Sequence, residues 1–209
     1  MNTFTAEKQT ARVEAFSDGV FAIAITLLIL DIHVPDVKAN QSLLKSLSTE
    51  WASIVALLIG FFTILICWIN HHYMFRFIYR CNSKLLLLNG FKLLVVTVTP
   101  ISTAMISKYI QTDWQQSAIN LYTFNFSLMG MAMAAVWCYA NANGFTKDDS
   151  IQVLKATTRL YIFASLFSTV IWLVSFVSIP GCLILFGIMF LIFIFPEKIV
   201  AWMVAKNKN

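Results

Sequence analysis

The sequence predicts an all-α integral membrane protein with six transmembrane helices. Three observations carry that prediction. Apolar residues make up 59% of the 209 and charged residues only 12%, with a mean hydropathy of +0.75; soluble domains are about 45–50% apolar and about 25% charged. Six stretches stay apolar over about 20 residues, the length that crosses a bilayer at about 1.5 Å per residue. The basic residues are shared unevenly between the connections, as in proteins oriented by their charges.

The spans fall at roughly 13–34, 51–75, 85–106, 117–140, 158–179 and 181–203, and together they form one membrane domain over residues 1–209. Lys8 and Arg12 precede the first apolar run as in a secretion signal, but "DIHVPD" follows it instead of a small-residue cleavage site, so it reads as an uncleaved span. Pro35 and Asp36 end it. The connection "PDVKANQSLLKSLSTE" reads as a short amphipathic surface helix with Leu43, Leu44 and Leu47 on one side. In span 3, Lys92 sits about two turns from the inner end and is expected to extend its stem to the interface. In span 4, Asn120, Thr123, Asn125 and Ser127 are expected to hydrogen-bond between helices. "SIPG", Ser178 to Gly181, separates spans 5 and 6, and Pro196 is placed to kink the sixth.

Six spans put both termini on one side. That side holds Lys8, Arg12, Arg76, Arg80, Lys84, Lys147, Lys155, Arg159, Lys198, Lys206 and Lys208. The opposite loops hold Lys38, Lys45 and Lys108. The excess orients both termini to the cytoplasm. It also accounts for the net charge of +5 without a nucleic-acid partner, since the basic residues form no stripe on a soluble face.

Several chemistries lack their residues. Cys67, Cys81, Cys138 and Cys182 are scattered through or beside apolar runs and read as small apolar side chains. His71 and His72 are adjacent and diverge on a helix, without the spacing of a metal site. No nucleophile stands with its base, and no phosphate loop, carbonyl-filter motif or arginine-rich voltage sensor is present. Neither an enzyme nor a bound cofactor is expected.

The polar groups of interest sit at the inner end of span 1, in "RVEAFSDGVFAIAITLLILDIH". Arg12, Glu14, Ser17 and Asp18 are costly there unless they face protein or water. Ser17 or Asp18 could start a helix, since its first N–H groups need acceptors. Span 2 runs the other way, and Trp68, His72 and Arg76, spaced by four, share a face at the same depth. A polar latch between the two spans is one reading; interfacial anchoring of Trp68 and the histidines is the other. Beyond the charges, Gly19, Ile23, Thr26, Leu27 and Leu30 form one helical stripe with Ala22 and Ala24 beside it. Spacing alone is equally consistent with an ordinary packed span.

Arg12-x-x-x-Phe16-Ser17-Asp18, running into "GVFAIAITLLILDI", resembles the first helix of the transmembrane protein 175 family, the lysosomal-type potassium channels. A single six-span unit resembles the family's prokaryotic form. The resemblance implies a homotetrameric, potassium-selective cation channel in the cell membrane, its pore lined by the first helix of each copy. A hydrophobic constriction would replace a carbonyl filter. Ile23 would be the narrowest ring, Thr26 a polar ring one turn on with a potassium ion transiently near it, and Leu30 the next apolar ring, with Leu27 sharing the lining. Arg12, Phe16, Ser17 and Asp18 would brace the helix, with Trp68 and His72 as partners. Glu14 or Asp18 at one mouth and Asp31 or Asp36 at the other would concentrate cations. The alternative is a proton-permeable channel or proton-coupled transporter using Asp18 and His72.

Overall fold

The structure is a computed structural model and describes residues 3–31, 42, 48, 50–147 and 150–206. The outer surface helix expected around Leu43, Leu44 and Leu47, together with Asp36, lies outside the described residues, and Asp31 is described in its backbone alone. Among the described residues there are seven α-helices: α1 Thr3–Leu27, α2 Trp51–Phe75, α3 Ser83–Tyr109, α4 Gln115–Ala142, α5 Ile151–Ser175, α6 Ile179–Phe193 and α7 Pro196–Lys206. A 3-10 turn, Leu28–Asp31, continues α1. Among the described residues five helices are long and apolar enough to cross a membrane, and α6 with α7 reaches that length and hydropathy only when the two are taken together across their bend.

The breaks follow from sequence chemistry. Asn82 caps α3, its Oδ1 accepting from the Leu85 amide at 2.9 Å. Gly144, at φ +66°, ends α4 in the left-handed conformation, and the Phe145 amide folds back onto the Ala140 carbonyl at 2.9 Å. Pro196 supplies no N–H to continue α6 and suits the first position of a new helix. The kink expected at this proline is a bend of 78° between α6 and α7. The 15 residues of α6 reach only about 22 Å.

Two apolar clusters hold the bundle. One joins α1 through Phe21, Ala24 and Leu28 to Ile64, Met74 and Phe75 of α2, Leu93 and Val96 of α3 and Val136 and Trp137 of α4. The other gathers Tyr122, Leu160, Ile171, Phe186, Met189 and Val200 from α4, α5, α6 and α7. Gly60 lets α1 and α3 approach α2 closely: a Cβ there would stand 2.8 Å from Leu28 Cδ2 and 2.9 Å from Thr103 Oγ1.

The span-4 polar residues bond between helices as expected. Asn125 Nδ2 donates to Thr99 Oγ1 at 3.1 Å, Thr123 Oγ1 donates to Ser175 Oγ at 3.0 Å, Ser127 and Thr169 hydroxyls meet at 3.0 Å, and the Asn120 amide stands 3.0 Å from Ser175 Oγ. Such bonds satisfy groups that lipid cannot. At the bundle end that holds the charged part of α1, the α2–α3 and α4–α5 connections join edge to edge. Lys147 N–H donates to the Phe77 carbonyl at 2.7 Å and Tyr79 N–H to the Phe145 carbonyl at 2.9 Å, around an antiparallel bridge of Ile78 with Thr146.

Candidate functional site: the first helix and its supports

Helix α1 begins at Thr3, so Ser17 and Asp18 are interior residues and neither caps its start. Its side chains divide by direction. Thr10, Ser17, Phe21, Ala24 and Leu28 are buried against α2 and α3, the helices on which α1 packs. Arg12, Phe16, Gly19, Ile23, Thr26, Leu27 and Leu30 are instead exposed, Arg12 and Phe16 at a groove bordered by α3. Ile23 is 60% exposed, Leu27 43% and Leu30 73%. Apolar exposure is ordinary in a protein bathed in lipid, but this stripe also carries Arg12 and Thr26, which lipid does not solvate.

Thr26 Oγ1 donates to the Ile23 carbonyl at 2.9 Å. Its proton is therefore committed to its own helix, and the hydroxyl presents lone pairs outward.

The buried face is tied down by two polar bonds at the charged end. Trp68 Nε1 of α2 donates to Asp18 Oδ1 at 2.8 Å, an indole N–H to an acidic side chain, one of the stronger neutral-donor bonds. His72 stacks on Trp68, ring centroids 5.9 Å apart. Ser17 Oγ donates to the Val13 carbonyl at 2.7 Å and accepts from Asn89 Nδ2 of α3 at 3.0 Å. Of the four motif residues, Ser17 and Asp18 thus hydrogen-bond to neighbouring helices within the chain. Arg12 and Phe16 instead line an open groove of about 700 Å³ with Asn82, Ser83, Asn89 and Gly90. A second cleft of about 420 Å³ brings together Glu14, Asp18, Arg76 and Lys147.

Lys92 corrects its expectation. It is wholly buried and does not reach the interface. Its Nζ lies 2.6 Å from Nδ1 of buried His71 and between the Phe21 and Phe75 rings, 5.7 and 5.5 Å from their centroids. The aromatic faces and the imidazole lone pair replace water around the amine. Asn89, His71, Lys92 and Phe21 are the supports that sequence reasoning did not find. A histidine at 71, one turn-step from the expected partner at 72, and the polar pair at 89 and 92 on one face of α3 are the only signals that pointed to them.

Among the described residues no group of three or more His, Cys, Asp or Glu side chains could hold a metal ion, and all four cysteines are free. The site is built to hold one helix rigid on one side and bare on the other.

Known proteins share this architecture. The sequence profile of the family described as endosomal/lysosomal potassium channel TMEM175 matches residues 12–100, which include the motif and the stripe. A potassium channel of Streptomyces collinus is 36% identical over 192 residues, covering 90% of this chain and 93% of that protein. The chicken endosomal/lysosomal proton channel TMEM175 is 38% identical over 138 residues, 62% of this chain and 28% of that protein. The crystal structure of a lysosomal potassium-selective channel TMEM175 homolog from Chamaesiphon minutus superposes with a TM-score of 0.76 at 30% identity, covering 97% of this chain and 100% of that one. With its apolar helices, its fold and its sequence in agreement, this chain belongs to the TMEM175 family and is a multi-pass membrane protein of the ion-channel class, not an enzyme.

Proposed function

We propose that the protein is a potassium-selective cation channel in which four copies of one six-span unit surround a pore lined by α1. The observation that carries this reading is the divided helix: Ile23, Thr26, Leu27 and Leu30 are left uncovered while Ser17, Asp18 and Phe21 anchor the opposite face. A pore helix needs such a division, because it must hold its position while presenting one clean face to the ion path. The Streptomyces potassium channel and the Chamaesiphon potassium-selective channel, to which the chain is similar, support the choice of potassium.

In this reading four Ile23 side chains form the constriction, a hydrophobic ring that closes by dewetting. Potassium sheds water more readily than sodium, so it passes such a ring more easily, and the Thr26 lone pairs replace part of the lost hydration. Acidic Glu14 and Asp18 raise the local cation concentration at one mouth. The distribution of basic residues supports placing that mouth, and both termini, in the cytoplasm of a cell-membrane channel.

Reversal potentials test this proposal in reconstituted bilayers with potassium on one side and sodium on the other. A shift toward the potassium equilibrium potential is expected. No current above protein-free bilayers, or a monomeric mass in detergent, removes it. The chicken relative's name, and the Asp18–Trp68–His72 cluster, favour a second reading in which protons also pass. Proton flux lost in Asp18→Asn while potassium flux survives supports that reading; loss of both fluxes together opposes it.

A further inference from the structure

The far flank of the bundle carries a feature that conduction does not use. Helix α7 leaves α6 at 78°. Ile199, Val200, Met203 and Val204 turn inward and join the cluster of Ala156 and Leu160 on α5. Lys198, Trp202 and Lys206 stand on the outward ridge, four residues apart and all exposed. Lys206 Nζ lies 5.2 Å from the Trp202 ring centroid and Lys198 Nζ 4.5 Å from that of Phe195. Exposed Lys155 and Arg159, also four apart, add two positive charges on the helix where α7 docks. Glu197 is the one acid on α7.

We propose that this ridge binds anionic phospholipid headgroups in the leaflet at the charged end of the bundle. The bend fixes the depth: α6 is an apolar helix, and where it stops the chain turns sideways, at the level where acyl chains give way to phosphates. Leu191, Ile194 and Phe195, just before the turn, are exposed and offer the acyl chains an apolar wall. Beyond it the tryptophan sits between two ammonium groups, apolar body toward the chains and cations toward the phosphates, the arrangement of an interfacial amphipathic helix. Charge complementarity selects the headgroup, since a cluster of basic groups at a membrane surface attracts anionic lipid over zwitterionic lipid. A soluble protein partner would meet that same apolar wall inside the bilayer, out of its reach.

The full chain, reconstituted in phosphatidylcholine vesicles with a minor share of phosphatidylglycerol, is re-extracted gently and its bound lipid measured. Phosphatidylglycerol is expected to be enriched about fivefold or more over the vesicle composition, falling to near parity in the triple variant Arg159→Gln, Lys198→Gln, Lys206→Gln. These side chains are exposed, so folding is retained; Lys108→Gln, at the opposite bundle end, is expected to keep the enrichment. Equal enrichment in wild type and triple variant overturns the proposal, as does no enrichment in wild type. Loss of bound phosphatidylglycerol on adding inorganic phosphate at constant ionic strength would assign the ridge to a free anion and also overturn it. A second readout is independent of extraction: phosphatidylglycerol brominated on its acyl chains should quench Trp202, isolated by subtracting Trp202→Phe, more than brominated phosphatidylcholine does. Equal quenching by the two lipids counts against the proposal.

Discussion

The two faces of α1 are made from the same apolar vocabulary and do opposite things. On one face Phe21, Ala24 and Leu28 are almost wholly buried, and Ser17 and Asp18 are bonded to Asn89 and Trp68. On the other, Ile23, Leu27 and Leu30 touch little of their own chain, and Thr26 bonds only to its own helix. The contrast teaches that hydropathy does not assign roles within a membrane helix; the placement of polar partners on the neighbouring helices does. A mutation on the anchored face should therefore read out as stability, and one on the bare face as conduction.

The sharpest way to break this comparison is to truncate large apolar residues on each side. Phe21→Ala empties a fully buried site and removes a wall of the Lys92 cage, so it is expected to cost roughly 3–5 kcal/mol, seen as a large fall in the melting temperature in detergent. Ile23→Ala, two residues on, should leave stability within about 0.5 kcal/mol and raise single-channel conductance, with weaker discrimination between potassium and sodium. Equal destabilisation by the two substitutions would mean that the faces are not divided.

Smaller effects sharpen the boundary. Asp18→Ala removes an exposed bond from the Trp68 N–H and is expected to lower stability by about 0.5–1.5 kcal/mol, with Asp18→Asn recovering part of it; differential scanning fluorimetry checks both. Asn89→Ala removes one neutral bond to Ser17 and should cost about 1 kcal/mol. Thr26→Val keeps the side chain's shape and removes its lone pairs, so stability should hold while, under the proposed function, the potassium reversal potential moves modestly toward zero. An unchanged reversal potential would leave the hydroxyl without a role in permeation.

Much of this was legible beforehand. The stripe through Ile23, Thr26, Leu27 and Leu30 follows from 3.6-residue periodicity, and the Asp18–Trp68 meeting follows from two antiparallel spans reaching the same depth. The bond from Asn89 to Ser17 and the Lys92–His71 pair were not legible, because they depend on how each helix is rotated about its axis. Lys92 shows why: a lysine two turns from an interface has a stem long enough to leave the membrane, and only the positions of Phe21, Phe75 and His71 make staying inside the better solution. The bend at Pro196 was half legible. Proline announces an interruption, but its angle is set by what α7 finds to pack on, which is α5.

The bridge between the Phe77–Tyr79 and Phe145–Lys147 segments has a consequence for evolution. Its bonds run from main chain to main chain, so the joint between two helical hairpins is held twice, by the backbone and by the packing of buried Ile78 and of Phe77 against Trp137. At the more exposed Tyr79 and Lys147 a proline, which deletes a donor, would be felt most, whereas Ile78 is sensitive to any loss of volume because it is buried. A mutational scan of these two turns should therefore show proline as the intolerant substitution at Tyr79 and Lys147 and truncation as the intolerant one at Ile78.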